Sequence, residues 1–347
     1  MRPADPPARN ADVRRPTLNA VAALAGVGRG TVSRVINGSP KVSDRSRAAV
    51  QRAIDELGYI PNRAARSLVT QRTDSVALVV PEAQNRLFSE PYFSGIIRGV
   101  SAGLAGAGMQ LLLVLVRDEK EYARLATYLS AQRVDGVLMM AVHSDDTLPD
   151  RLEELAVPTV LAGRRGDGEP LGHVRADNGG GARSAVEHLL AGGRRTIGTI
   201  TGPLDMDVAQ ARLEGYREAL EKAGLEVQDD LIVQGDFTED GGRWAMRELL
   251  RRRPEVDAVF AASDVTASGA VLELRASGRR VPDDVAVIGF DDSIVARHID
   301  PPLTSVRQPL EEMGRTMARL LLDEIEQRGA GHRGVVLPTE LVVRESA

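Results

Sequence analysis

Eight short runs of β-forming residues recur along residues 75–290, and stretches with helical apolar spacing separate most of them. The runs are residues 76–80, 111–116, 136–140, 159–161, 196–200, 231–233, 258–261 and 285–290. The helical stretches are 93–107, 122–132, 182–192, 210–223, 241–252 and 266–277. Parallel strands need a crossover between them, and a helix is the usual crossover. The alternation therefore predicts parallel sheets covered on both faces. The number of strands predicts two such sheets, and 347 residues exceed what one hydrophobic core ordinarily serves.

Residues 17–59 follow a different pattern. Leu18, Val21, Ala22, Leu24 and Ala25 share one helical face, and Gly26 supplies a stop. Val27 plugs a tight turn, and a second short helix over 29–36 turns Val32, Val35 and Ile36 inward. A third helix begins after Ser43, a good N-cap residue, and buries Val50, Ile54 and Leu57. Two short helices joined by a glycine-containing turn form a helix-turn-helix, whose second helix enters the major groove of DNA. Its outward face carries Arg29, Thr31, Ser33 and Arg34, donors suited to base edges and phosphates. A bundle of ordinary surface helices leaves a similar pattern, so spacing alone does not decide between the two.

Charge separates the two parts. Residues 1–72 hold 13 Arg or Lys against 5 Asp or Glu, while the remainder holds 31 against 44. A basic module on an acidic body fits a polyanion-binding head joined to a separate domain. The absence of cysteine excludes disulfides and thiolate chemistry and fits a reducing compartment. No apolar run reaches the ~18–20 residues that a membrane span needs. Residues 1–10 lack the apolar region of a secretory signal. A cytoplasmic protein is expected, with a disordered tail over 1–16.

Residues 59–70 read Y-I-P-N-R-A-A-R-S-L-V-T. With the T-V-S-R-V-I-N run of the second helix and G-Y-I-P-N after the third, the chain resembles the lactose-repressor (LacI/GalR) family of bacterial transcription regulators. The similarity extends to Arg344. It implies an α/β fold: an N-terminal three-helix helix-turn-helix headpiece and hinge helix, then two doubly wound parallel-sheet lobes of periplasmic-binding-protein type. The implied domains are a tail (1–16), a headpiece (17–61), a hinge (62–73) and an effector-binding and dimerisation domain (74–347). Lobe one takes 74–174 and 307–336, and lobe two takes 175–306 and 337–347. The chain thus crosses near Arg175, Val306 and Leu337.

The hinge segment 62–69 is too short to hold a helix by itself. In the family it folds when two copies meet on the operator, and its leucine, here Leu68, wedges into the minor groove. The resemblance makes Thr17, Thr31, Ser33, Asn37 and Ser43 phosphate contacts, with Lys41, Ser46, Tyr59 and Asn62 as further DNA contacts. Gly28 stands where the family often has Ser. Gly30 stands where many members place a base-reading side chain; it costs about 1 kcal/mol of helix propensity but leaves room for close approach to the groove. Base reading then rests on Arg29 and Arg34, and an Arg in the major groove most often selects guanine.

In open parallel sheets, ligands lie beyond the carboxyl ends of the strands. Tyr92 and Phe93, Arg164, Arg212, Phe237, Ser263 and Asp264, and Asp291 and Asp292 all follow expected strands or their loops. By resemblance, Arg212 and Asp291 grip adjacent sugar hydroxyls, a guanidinium supplying forked donors and a carboxylate accepting twice. Phe237 stacks on a pyranose face and Phe93 covers the opposite side. Ser263 replaces an Asn often found before Asp264, and Gly163 stands where some members carry Asp. The competing readings are helix capping for Asp264 and Asp292, a structural salt bridge for Arg212 with Asp291, and plain packing for Phe237.

Catalysis has no support in the sequence. The G-V-G-R-G run at 26–30 follows a helix and lacks both the dinucleotide spacing and a Walker lysine. The five histidines show no metal-ligand spacing, and no G-x-S-x-G elbow occurs. No cofactor or metal is expected. The expected protein is a homodimeric regulator, a repressor, that reads a near-palindromic duplex under control of a small molecule, expected to be a sugar. No heptad repeat trails Arg344, which favours a dimer over a tetramer. The alternatives are a sugar-binding protein without a gene-regulatory role and an enzyme on a doubly wound fold.

Overall fold

The computed structural model describes residues 16–36, 38–59, 72–81, 90–116, 119–130, 133–326 and 334–347. The expected tail over 1–16 (all but Pro16), Asn37, Asn62, Leu68 and most of the expected hinge lie outside the described residues. The chain divides into two compact units, one ending at Thr73 and the other running from Asp74 to Ala347.

In the first unit α1 (Leu18–Ala25), α2 (Arg29–Ile36) and α3 (Asp44–Leu57) pack around Val21, Val32, Val35, Val50, Ala53 and Tyr59. Thr17 caps α1 by accepting the Ala20 amide at 3.2 Å, and Ser43 caps α3 by accepting the Ser46 amide at 3.3 Å. Gly26, with φ +65°, ends α1 in the left-handed region that glycine enters at no steric cost. Leu24 departs from expectation and is 46% exposed. At 100° per residue it lies roughly 110° from the centre of the face formed by Leu18, Val21, Ala22 and Ala25.

The second unit begins with β1 (Ser75–Val80), α4 (Pro91–Gly106), β2 (Gln110–Leu115), α5 (Glu119–Ser130), β3 (Gly136–Met139), α6 (Leu148–Glu154), β4 (Thr159–Ala162) and β5 (Gly172–Ala176). It continues through α7 (Asn178–Ala191), β6 (Ile197–Thr201), α8 (Asp207–Lys222), β7 (Ile232–Gln234), α9 (Glu239–Arg252), β8 (Ala258–Ala261), α10 (Asp264–Ala276), β9 (Ala286–Asp291), α11 (Ile294–His298) and β10 (Thr304–Arg307). The last elements are α12 (Leu310–Ile325), β11 (Gly334–Leu337) and β12 (Glu340–Val342). The strands form two six-stranded sheets, ordered β11-β5-β4-β3-β1-β2 and β12-β10-β9-β8-β6-β7. Every pairing is parallel except β10 with β12.

Each sheet is covered on both faces, as its apolar strands require. Leu78 and Leu138 of sheet one pack with Phe93, Ile96, Met313 and Met317 of α4 and α12, while Val79 and Met139 pack with Leu129 and Leu152 of α5 and α6. In sheet two Ile288 and Phe260 meet Ala182, Val186 and Tyr216 of α7 and α8, and Val259 and Val287 meet Met246 and Leu274 of α9 and α10. The connections β5–α7, β10–α12 and β11–β12 pass between the two sheets, so neither lobe is continuous in sequence. Each expected strand is present within one residue of its expected bounds, while α7, α9 and α10 start earlier because their N-caps are Asp177, Thr238 and Ser263. No helix among the described residues is long and apolar enough to cross a membrane.

Candidate functional site

The carboxyl ends of the two sheets face a shared cleft. Tyr92 and Phe93 enter it from the first turn of α4, where Pro91 fixes the helix start. Their rings meet edge to face at 5.4 Å. Val142, Met206, Val208, Phe237 and Met313 complete the apolar walls. Arg164, Arg175 and Arg212 line it together with Glu90, Asp207 and Asp291. Among the described residues the non-glycine positions at positive φ include Ala141, Phe237 and Asp291, all three on the cleft. Such backbone persists where the surroundings force it, and it clusters at binding sites.

Arg212, on the second turn of α8, is 5% exposed. Its Nε donates to Asn178 Oδ1 at 2.9 Å, its Nη1 to the Ala262 carbonyl, and its guanidinium lies 3.8 Å from the Phe290 ring centroid. Burial lowers its pKa, opposed by the nearby Asp291. Among the described residues no ion pair joins Arg212 to Asp291. Asp291 instead accepts from Gln308 Nε2 at 2.6 Å. Burial pushes its carboxyl up to about 8; Arg212 opposes that rise and Asp264 adds to it. The pair is thus held by neutral partners while both side chains line the cleft. Burial also raises the Tyr92 phenol.

Of the expected effector contacts, Tyr92, Phe93, Arg164, Arg212, Phe237, Ser263 and Asp291 line the cleft. Asp264 does not. It is wholly buried behind the cleft, where its carboxylate accepts from the Ser293 amide and the Ser305 hydroxyl, each at 2.6 Å. These bonds tie α10 to the loop before α11 and to β10, a structural duty. Ser263 caps α10, accepting the Thr266 amide at 3.1 Å. Asp292 belongs to an ionic cluster with Arg297, Arg307 and Arg344. Burial would raise its pKa, but hydrogen bonds from Arg344 and Arg307 outweigh that and lower it.

Sequence reasoning passed over Glu90, Arg175, Asn178, Asp207 and Gln308. Asn178 and Gln308 follow β5 and β10, strands whose polar residues hid them; the same strand-end rule would have found both had the strands been recognised. The lobes meet across the cleft through Arg164 Nε to Asp207 Oδ1 at 2.9 Å and His143 Nδ1 to Asp205 Oδ2 at 2.6 Å.

In the first unit Arg29, Gly30 and Arg34 are exposed on α2, with Thr31 and Ser33 half-buried beside them. Lys41, Thr17 and Ser43 are exposed, and Ser46 is half-buried and accepts from the Ser43 hydroxyl at 3.0 Å. Tyr59 departs from expectation: it is 8% exposed and packs into the helical core, so its ring serves the fold.

Two family models match the chain, "Bacterial regulatory proteins, lacI family" over residues 17–62 and "Periplasmic binding protein-like domain" over 186–347. The HTH-type transcriptional regulator CelR of Thermobifida fusca is 57% identical over 340 residues, covering 96% of this chain and 98% of that protein. A solved structure titled as a CelR–cellobiose complex is 55% identical with a TM-score of 0.78, covering 96% of this chain and 100% of that one. The lac repressor dimer bound to operator and the anti-inducer ONPF is 28% identical with a TM-score of 0.84, covering 96% and 99%.

Proposed function

Because the chain belongs to the lacI family of bacterial regulatory proteins, and is thereby a DNA-binding transcription regulator, we propose that a sugar held between its lobes sets its operator affinity. The observation that carries this reading is the cleft itself: aromatic and aliphatic walls around three arginines and three acidic side chains. A lining that offers both donors and acceptors suits an uncharged, hydroxyl-rich ligand, whose hydroxyls both donate and accept. Arg212 and Asp291 are the hydroxyl-gripping pair, and Phe237 with Phe93 and Tyr92 supplies the faces on which a ring rests. Cellobiose is the first sugar to test, since the similar CelR structure is a cellobiose complex.

The division of labour follows the expected boundaries: headpiece 17–61 reads DNA through Arg29 and Arg34, hinge 62–73 presents Leu68 to the minor groove, and 74–347 binds effector. Thr17, Thr31, Ser33, Asn37, Lys41, Ser43, Ser46 and Asn62 anchor the backbone of the duplex. Two copies act together on a near-palindromic site, as in the lac repressor dimer on operator. The sugar works by differential affinity for two lobe arrangements, only one of which suits DNA binding. The chain works in the cytoplasm as a repressor and carries no catalytic role.

The deciding experiment is a gel-shift titration of an inverted-repeat operator with the full chain, with and without cellobiose. A tenfold or larger change in apparent Kd supports the reading. Retardation that cellobiose leaves unchanged refutes control by this sugar, and no retardation of the inverted repeat counts against the DNA-reading role.

A further inference from the structure

We infer that Asp207 is a specificity-determining residue of the cleft, its Oδ2 accepting a hydrogen bond from one hydroxyl of the bound sugar. The inference rests on the sugar reading above and adds an atom to it. Asp207 opens α8, and its two carboxylate oxygens have different surroundings. Oδ1 accepts from Arg164 Nε at 2.9 Å, across the boundary between the lobes. Asp207 lines the cleft, and its Oδ2 is buried; among the described residues it is the single buried side-chain oxygen or nitrogen without a hydrogen-bond partner. The side chain as a whole is 9% exposed.

Buried polar atoms are satisfied in the great majority of cases, and leaving one unsatisfied is costly. An exception on the wall of a binding cleft fits a partner that arrives with the ligand. The flanking residues offer no alternative donor, since Met206 and Val208 line the same wall with apolar side chains. An ionised carboxylate only accepts, so the incoming group must be an O–H or N–H donor. Arg164 already offsets the charge of Asp207, so a neutral hydroxyl suffices and a cationic ligand is not called for. Arg164 follows β4 of sheet one, whereas Asp207 precedes the body of α8 on sheet two. A hydroxyl on Oδ2 therefore joins an interaction that exists only while the lobes meet, and recognition of that hydroxyl is read as closure.

The test is calorimetric titration of the full chain with cellobiose and with its monodeoxy analogues, using wild type, Asp207→Ala, Asp207→Asn and Arg164→Met. Wild type should bind one monodeoxy analogue at least tenfold more weakly than cellobiose. Both Asp207 variants should bind that analogue and cellobiose within threefold of each other. Arg164→Met should bind every analogue more weakly yet keep the discrimination, because Oδ2 is still present. If the Asp207 variants discriminate among the analogues as wild type does, the inference is overturned while the sugar reading stands. If wild type binds no sugar at all, the sugar reading fails and takes this inference with it.

Discussion

His143 and Asp205, one from each lobe, meet at 2.6 Å between Nδ1 and Oδ2, beside a backbone bond of 2.9 Å from the Ser144 amide to the Asp205 carbonyl. The two side chains are 23% and 50% exposed, so solvent screens the pair and its contribution to closure is modest, ~0–1 kcal/mol. His143→Ala should weaken effector affinity by up to about fivefold. Calorimetry decides: unchanged affinity makes the contact incidental, and a loss beyond about tenfold gives it a larger part than its exposure allows.

Asp291 supplies a pH signature. Burial raises its carboxyl from 3.8 to about 8 in the folded chain, and that of Asp264 to about 6. A raised folded pKa means that the native state holds the proton more tightly than the unfolded state does. The associated stability is fully present below 3.8 and drains away as pH climbs through about 8. Between pH 6 and 8 the Tm should fall by roughly 2–5 °C, and Asp291→Asn should flatten that slope. The lowered carboxylates, Asp292 among them, lose their stabilisation only at acid pH, outside this window. An equal slope in the variant refutes the assignment.

Gly202 fixes the position of Phe237. A Cβ at residue 202 would come within 2.0 Å of the Phe237 ring. Gly202→Ala should cost about 1–3 kcal/mol through overpacking. Sugar affinity should fall more than tenfold, because the ring must leave its place in the cleft wall. Adding Phe237→Leu should recover stability but not affinity. Thermal unfolding and titration of the single and double variants separate these outcomes, and an alanine tolerated without effect would contradict the contact.

Arg212→Lys should keep operator binding but abolish the response to effector. Lysine lacks the fork that reaches Asn178 and Ala262 together, and it cannot stack on Phe290 as a planar group. A stability loss of about 1.5–3 kcal/mol should accompany it, from hydrogen bonds to a buried charge. A variant that still answers cellobiose normally would mean that the hydroxyl-gripping centre lies elsewhere.

Arg34 projects from α2 as an exposed cation. Arg34→Ala should cost about 1–3 kcal/mol of specific DNA affinity and relax selectivity at one base position. Wild-type binding should weaken steeply as salt rises, because phosphate neutralisation releases counterions. A shallow salt dependence, or identical affinity in the variant, counts against α2 as the reading element.

The body of the fold was legible because its central strands are uninterrupted apolar runs, and β1 or β9 can hardly be anything else. The four strands β5, β10, β11 and β12 were not. β5 is Gly-His-Val-Arg-Ala and β10 Thr-Ser-Val-Arg, short and half polar, and their pairing partners, not their own composition, make them strands. That omission carried into the site, since Asn178 and Gln308 stand just past the strands that were missed. Asp264 was misjudged for a related reason: sequence shows that a carboxylate follows a strand, not that Ser293 and Ser305 already occupy it. Asp207 could not be singled out from Asp205 two residues away, because one carboxylate oxygen left without a partner is a property of three-dimensional surroundings.

Three separate strands of chain run between the lobes, and two of them are stitched together where the Asp177 amide donates to the Leu337 carbonyl and the Thr339 hydroxyl to the Asp177 carbonyl. A door hung on three pins swings but cannot slide or wobble. Motion of one lobe against the other should therefore be mainly a change of one angle, which a pair of dyes fixed to opposite rims would report directly. A change at any pin, even one remote from the cleft, should reset the resting angle.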